Sequence, residues 1–497
     1  MIRKKNPNQQ YLEEFKMQFG GKLRKDNRWI KKSEMIPWEI IEDEYSKKFS
    51  NECGAYALSG RIAFGALFIQ SLTGLTDREV VKHISENAYM QYFLGLSEFT
   101  DEPLFDASMM THFRKRFSAD FINRINEAMF EPESEKLLDE NNPNDKDNNK
   151  PDPPSASSNS NIETKTTENK GKLIMDATVA PADIRYPSDI SILNESRENL
   201  EQMIEELWLR GDRKGHKTDY SRKKARKEYL TIAKQKKPRI AKIRRTIKQQ
   251  LEYIKKDIDT IGRLMMQAGA ETLPEKRIAR LMTICEVHRQ QYRMSKSKNH
   301  SCENRIVSLR QPHVRPIVRG KAGKPYEFGQ KISAAVVEGY TFLDRQSYDN
   351  FNESTRLVEI TERYKTRYGY YPEAVLADKI YRNRTNLSYC KEHGIRLSGP
   401  KLGRPKKNPD KAEKRYMARD NAERNIIEGR FGVVKRRFGF GLIMAYLPET
   451  GLTEAAMKVL CMNVMIKIKR DIKIFFNFLK RRFIIVFSAI FVFLLGK

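Results

Sequence analysis

The sequence predicts an α/β protein, in which a mixed sheet flanked by helices follows an all-α N-terminal region. Residues 35–130 show helical periodicity with buried-helix runs. Two short apolar runs of strand type end on Asp176 and Asp378, and a long helical pattern separates them. Strand, hairpin, helix, strand and helix, in that order, indicate helices packed against a mixed sheet.

Composition indicates a polyanionic partner. The 497 residues carry a formal net charge of +29, and such a surface releases counterions from nucleic-acid phosphates. The five cysteines are scattered without a Cys-x-x-Cys pair, which argues against a zinc knuckle or a disulfide framework and fits a reducing compartment. We expect the protein in the cytoplasm, in association with the nucleoid. The charged start of the chain predicts no secretory signal. The apolar run 483–495 is too short to span a membrane, so we expect no membrane anchoring.

The N-terminal region, residues 1–130, is predicted to form a helical domain that binds DNA ends. Thr76 and Glu79 have the spacing of a capping box before an apolar helix. The basic stretch 112–117 fits both a helix-turn-helix and a helical bundle with solvated charges.

Residues 131–170 are predicted to be a disordered linker. Asn, Asp, Ser, Pro and Lys dominate there, with ten acidic and five basic residues. So little apolar surface cannot offset the entropy of ordering the chain. The catalytic region is predicted to follow at 171–465, with a helical insertion at about 195–300. A basic and then apolar tail occupies 466–497.

The insertion is strongly basic. Residues 201–300 carry 27 basic and 12 acidic side chains. A phosphate-contacting arm is the favoured interpretation, and a solvated helical hairpin is the alternative. The side chains predicted to contact DNA in the densest patch are Arg222, Lys223, Lys224, Arg226 and Lys227.

Three acidic residues are candidate catalytic residues and metal ligands. Asp176 and Asp378 end strand-like runs, where a sheet presents its ligand-binding rim. Glu428 lies in a basic helix, and at about 100° per residue it shares one stripe with Arg424 and Lys435. A salt-bridged helix surface is the alternative interpretation of that stripe.

Three carboxylates from separate segments suit two Mg²⁺ (or Mn²⁺) ions over a phosphodiester, because such ions prefer carboxylate oxygens. Asp176 is predicted to bridge both ions, and Asp378 and Glu428 each to complete one. Arg424 and Lys435 are predicted to hold DNA phosphates. Three rival acids do not end a clear apolar strand: Asp183, Asp189 and Asp344.

The chain resembles the DDE transposases of bacterial insertion sequences. Arg424, Glu428 and Lys435 match the family's Tyr-x2-Arg-x3-Glu-x6-Lys signature in spacing, while Asn421 stands at the tyrosine position. The other similar stretches are 87–96, Leu173-Ile-Met-Asp-Ala-Thr178, 184–189, 316–332, Leu376-Ala-Asp-Lys-Ile-Tyr-Arg382 and 396–405.

The resemblance implies an RNase H-like catalytic domain with a helical insertion after the first aspartate. It also implies movement of an element with terminal inverted repeats into target DNA, by a homo-oligomer of at least two copies, with double-stranded DNA as the partner and no obligate protein partner. Two alternatives stay open. One is a nuclease of the same fold that cleaves DNA without joining ends, and the other is a decayed copy that only binds DNA.

Overall fold

The computed structural model describes residues 15–17, 21–49, 57–130, 168–210, 222–268, 273–297, 299, 301–321, 324–403 and 411–495. Nearly all of the predicted linker lies outside these residues. Seven helices occupy the described part of the N-terminal region, as predicted. They are α1 (Arg28–Met35), α2 (Trp38–Ser46), α3 (Gly60–Thr73), α4 (Asp77–Ser85), α5 (Ala88–Phe93), α6 (Met109–Arg116) and α7 (Ala119–Phe130).

The capping box before α4 is confirmed. The Thr76 hydroxyl accepts a hydrogen bond from the backbone N–H of Glu79, and the Glu79 carboxylate accepts one from the backbone N–H of Thr76. These reciprocal bonds satisfy two donors at the helix start that would otherwise lack partners, and so they define where the helix begins.

A six-stranded mixed sheet forms the centre of the C-terminal region. Its strands are β1 (Lys172–Pro181), β2 (Arg315–Lys321), β3 (Lys324–Val337), β4 (Tyr340–Ser347), β5 (Ala374–Leu376) and β6 (Arg396–Leu397). The order is β2-β3-β1-β5-β6, and β4 also pairs with β3. The β1–β3 pairing is antiparallel, whereas the β1–β5 and β5–β6 pairings are parallel. The predicted mixed sheet and the hairpin at β3 and β4 are confirmed.

The prediction that the first strand ends at Asp176 is wrong, because β1 continues to Pro181. The extra residues pair with β3, and the last register pair joins Pro181 to Gly329. A Cβ atom at Gly329 would overlap the carbonyl oxygen of Ala180. The missing side chain therefore allows the close backbone approach that extends the strand.

The helical insertion has its own core. It consists of α8 (Asp189–Arg210), α9 (Arg222–Ala233), α10 (Ile240–Ala268) and α11 (Glu275–Ser297). Their buried aliphatic side chains form a cluster that is separate from the core under the sheet. The structure therefore confirms the prediction that a helical segment is inserted between β1 and β2.

Four further helices surround the sheet: α12 (Leu357–Tyr368), α13 (Arg384–Glu392), α14 (Lys411–Arg437) and α15 (Pro448–Leu495). Buried side chains of the N-terminal helices, the sheet and α15 form one continuous core. The amide of Asn463 on α15 donates to Asn126 on α7 (2.8 Å) and to the carbonyl of Thr341 on β4 (2.7 Å). In the described part of the chain, no helix is long and apolar enough to cross a membrane.

Candidate active site and nucleic-acid interface

Helix α14 lies over the face of the sheet that carries Asp176. At its N-terminal half, Glu423 forms an ion pair with Lys172 of β1 (2.7 Å), and Asp420 forms one with Arg396 of β6 (2.5 Å). Lys172 and Asp176 are four residues apart in one strand, so they share a face. The fully buried Ile427 belongs to the core beneath the helix. The helix is thus fixed next to Asp176.

Asp176 is half-buried in β1, opposite Ala334 of β3. Burial is the main reason that the pKa of its carboxyl is raised to about 6. The charges of Glu353 and Glu428 act in the same direction. The hydrogen bond from the Ala177 N–H (2.8 Å) and the Arg424 charge oppose the rise. Asp176 therefore lies within electrostatic range of the Arg424 and Glu428 stripe.

Arg424 and Glu428 are neighbours on α14 with different exposure. Their side chains are joined by an ion pair of 3.6 Å, with 22% of the arginine and 56% of the glutamate side chain exposed. The exposed carboxylate remains open to a ligand, while the arginine is held closer to the sheet. Lys435 follows in the last turn of α14 and is half-buried. It lies about 10 Å from Glu428 along the helix axis, at 1.5 Å per residue.

Asp378 occupies the position in its segment that Asp176 occupies in β1. The last register pair between the parallel strands β1 and β5 joins Ile174 to Leu376, and each aspartate follows two residues later. An even offset keeps the same face of an extended chain. The exposed Asp378 carboxylate accepts a hydrogen bond from the backbone N–H of Lys379 (2.6 Å).

Within the described ranges, no three His, Cys, Asp or Glu side chains are gathered closely enough to hold a metal ion. The structure does bring Arg424 and Glu428 within electrostatic range of Asp176. It places Asp378 two residues after the register partner of Ile174, as Asp176 lies two residues after Ile174. Convergence of all three acids on a metal pair stays a prediction.

The three rival acids have other contacts. Asp344 is almost fully buried and forms ion pairs with Arg356 and Arg363, both at 3.1 Å. Asp189 contacts Arg305 and accepts a hydrogen bond from the Gln291 amide (2.8 Å). Asp183 accepts a hydrogen bond from the Tyr446 hydroxyl (3.3 Å).

Two residues near Asp176 were missed by the sequence analysis. Glu353, at the start of a 3-10 turn, forms an ion pair with Lys331 (2.7 Å) and contributes to the raised pKa of Asp176. Tyr381 is fully buried. Its burial, followed by the Glu353 and Asp176 charges, raises the pKa of its phenol. Neither residue ends an apolar run, so no pattern in the chain singled them out.

Helix α9 presents most of the predicted DNA-binding side chains to solvent. Lys223, Lys224, Arg226 and Lys227 are exposed, and a shallow groove along this helix is lined by Lys223, Arg226, Lys227, Leu230, Thr231 and Lys234. Arg222 differs from these residues. Its guanidinium forms ion pairs with Glu201 (2.9 Å) and Glu205 (3.6 Å) of α8, so it also holds the insertion together.

Comparison with known proteins gives two family matches. Residues 375–465 match a family described as a transposase DDE domain, and residues 17–116 match a transposase domain family, DUF772. The first match contains Asp378 and Glu428, whereas Asp176 lies outside both.

One curated relative is the uncharacterized protein ORF8 in the nfe locus of Rhizobium meliloti. It is 32% identical over 97 residues, which are 20% of this chain and 46% of that protein. The chain thus spans about half the length of this relative. No solved structure matches the chain.

Proposed function

We propose that this chain is a DDE transposase of an insertion sequence, which binds the ends of its element and catalyses metal-dependent strand cleavage and strand transfer. The observation that carries the proposal is the position of α14, whose Arg424 and Glu428 lie within electrostatic range of Asp176. Asp378 stands at the equivalent position of the adjoining parallel strand. An acidic centre within a chain of net charge +29 suits a phosphodiester substrate.

The donor chemistry of these residues fits Mg²⁺ or Mn²⁺. Carboxylate oxygens are the preferred ligands of such ions. The charged form of Asp176 is disfavoured by its surroundings, as its raised pKa indicates, and a bound cation would stabilise that form. Asp176, Asp378 and Glu428 would together hold the ions. When bound, such a pair activates the attacking oxygen and stabilises the leaving oxygen of a phosphodiester.

The cations of α14 would position the DNA. Arg424 pairs with Glu428 and its charge acts on Asp176, so it would contact a phosphate bound at these acids. Lys435 lies farther along the helix and would hold a neighbouring phosphate. Cleavage and joining then differ only in the attacking oxygen, which comes from water or from a free DNA hydroxyl. Loss of Arg424 or Lys435 should slow both reactions more than it weakens overall DNA binding.

The test uses a radiolabelled fragment that carries the terminal inverted repeats flanking the gene, incubated with target DNA and Mg²⁺. We expect cleavage and joining by the wild type. Asp176→Asn, Asp378→Asn and Glu428→Gln should each abolish both reactions while DNA binding is retained. Glu373→Gln is the matched control, because it removes an exposed carboxylate directly before β5, outside the proposed site.

Each other outcome has a defined meaning. Wild-type cleavage without joining would establish the nuclease alternative. DNA binding without cleavage would indicate a decayed copy. If one of the three acid variants cleaves as the wild type does, the assignment of that residue is wrong. Light scattering of the complex with end DNA tests the proposed homo-oligomer, for which we expect at least two copies.

A further inference from the structure

Three exposed tyrosines lie beyond the end of β1 and are not explained by the core. Tyr186, Tyr326 and Tyr446 expose 74%, 49% and 46% of their surface. We refer to them as the tyrosine platform. Exposed aromatic rings that cluster usually mark a binding surface.

A ring contact and a hydrogen bond place Tyr186 and Tyr446 at the end of β1, and Tyr326 lies on the neighbouring strand β3. The Tyr186 ring packs edge-on against Phe328 of β3, with centroids 5.6 Å apart. Tyr326 lies two residues before Phe328 in the same strand, so both share a face. The Tyr446 hydroxyl donates to Asp183, and the backbone N–H of Ala182 donates to the Phe328 carbonyl (2.9 Å). The platform thus joins three separate segments.

The platform lies on the same face of the sheet as Asp176. Asp176 pairs with Ala334 in β3, and cross-strand partners share a face. Phe328 and Tyr326 lie six and eight residues from Ala334 along β3, which are even offsets. From Asp176 to the end of β1 at Pro181 the chain advances about 17 Å, at about 3.3 Å per residue. That length corresponds to about five nucleotides at the duplex rise of about 3.4 Å along the helix axis, and to fewer nucleotides of an extended single strand.

The last turn of α14 carries exposed cations, and the loop after it reaches the end of β1. Helix α14 runs beside β1, from Glu423 near Lys172 to a C-terminal turn that contains the exposed Arg436 and Arg437. The following loop folds back, and the backbone N–H of Ile443 donates to the carbonyl of Pro181 (2.8 Å). A strand that passes from the acids toward the platform would therefore meet positive charge on its way.

From this arrangement we infer that the tyrosine platform stacks unpaired bases of the DNA strand whose backbone lies at the acidic centre. The inference rests on the proposed function and specifies the form of DNA that the site prefers. Base pairs within a duplex already stack on one another, so free ring faces are offered by unpaired bases. Aromatic stacking contributes about 1–3 kcal/mol per base and tolerates any sequence.

The test is a binding measurement in EDTA, which makes it independent of cleavage. Fluorescence anisotropy compares a plain duplex, the same duplex with a ten-nucleotide single-stranded overhang, and that overhang built from abasic sites. We expect the overhang with bases to bind more tightly than the other two. Tyr186→Leu combined with Tyr446→Leu should weaken overhang binding at least about five-fold, the lower end of base stacking. Duplex binding should not change, and it also reports that the variant is folded.

Two controls separate stacking from other roles. Tyr186→Phe should keep the affinity for the overhang, because it keeps the ring. Tyr292→Leu removes another exposed tyrosine, in the insertion, and should have no effect. A five-fold loss that is the same for the abasic overhang would overturn the inference, and so would equal affinity of variant and wild type. A change in oligomeric state of the double variant would instead assign the platform to contact between copies and would also overturn it.

A second measurement avoids substitution altogether. In the wild-type protein, 2-aminopurine placed at successive overhang positions should be quenched where its ring stacks on tyrosine, within about five nucleotides of the junction. Uniform fluorescence at all positions would overturn the inference. Failure of the cleavage assay described above would leave both readouts intact, so the two proposals can fail separately.

Discussion

We expect Asp257→Asn to stabilise the helical insertion, and to do so more strongly at neutral and alkaline pH than in acid. Asp257 lies on α10, next to a buried ionic cluster on α8. Burial, followed by the Glu201 charge, raises the pKa of its carboxyl to about 7, and Arg197 opposes the rise. Arg197 and Glu201 form an almost fully buried ion pair, and Arg222 of α9 contacts Glu201. Glu201 thus has ion pairs with both arginines, whereas of these two arginines only Arg197 acts on Asp257, through its charge.

The sign of the pH dependence follows from the two protonation states. An unfolded aspartate has a pKa near 3.9. Between about pH 4 and pH 7 the unfolded carboxyl has lost its proton while folded Asp257 retains one, so stability falls as pH rises. Above about pH 7 the penalty is constant. It is at most about 4 kcal/mol, at 1.36 kcal/mol per pKa unit. Partial exposure of Asp257 screens the charge, so we expect about 2 kcal/mol.

Hydrogen exchange measures this effect locally. At pH 8, amides of α8 and α10 should gain about thirty-fold in protection factor in the variant, which corresponds to about 2 kcal/mol. At pH 4.5 the gain should shrink to about half or less. Asp259→Asn is the matched control, because Asp259 lies two residues away on the same helix and is exposed. An equal gain at both pH values, or no gain at pH 8, would refute the reasoning.

Two further predictions concern backbone packing and DNA contact. Gly329→Ala should destabilise the sheet by about 3 kcal/mol in chemical denaturation, because the new methyl group would overlap the Ala180 carbonyl. Gly262→Ala on α10 is the control. It has open space around it and should stabilise the protein by about 0.5–1 kcal/mol. Comparable stability of both variants would show that strand approach does not depend on glycine. Replacing the four exposed α9 cations (Lys223, Lys224, Arg226 and Lys227) with Gln should flatten the log–log salt dependence of duplex binding by up to about 3.6, at about 0.9 per phosphate. Arg222→Gln should instead lower the protection of α8, because it leaves buried Glu201 with one partner fewer. A wild-type slope in the quadruple variant would make α9 a structural or dimerising element.

Much of the fold follows from local patterns. The Thr76 capping box, the apolar strand before Asp378 and the Glu338–Gly339 turn each depend on neighbouring residues only, and all are present in the structure. The end of β1 depends on β3, which lies about 150 residues farther along the chain. Because the contact that extends the strand is distant in sequence, the apolar run alone predicted too short an element.

The candidate site divides in the same way. Helical periodicity placed Arg424 and Glu428 on one stripe, and their ion pair agrees with it. No pattern in the neighbouring sequence indicates that Glu353 approaches Asp176, because the 3-10 turn that begins at Glu353 is brought there by the tertiary fold. The ion pair of Arg222 with α8 was also unpredictable, since a run of basic residues contains no information on which members find acidic partners across the bundle.

The parallel course of α14 and β1 explains why Glu428 approaches Asp176, although the two acids are far apart in sequence. Ion pairs fix the first half of α14 at the starts of β1 and β6, and the loop after it bonds to the end of β1. The helix and the loop after it therefore together span the length of that strand. Glu428 lies near Asp176 because both are part-way between these two fixed ends. The parallel pairing of β5 with β1 places Asp378 at the position in its segment that matches Asp176.

Weakening the attachment of either end of α14 should consequently displace Glu428 from Asp176, even though neither acid is changed. Lys172→Met, which removes the partner of Glu423, should reduce cleavage while leaving salt-dependent duplex binding unaltered. Normal cleavage by this variant would mean that core packing around Ile427 is sufficient to position the helix.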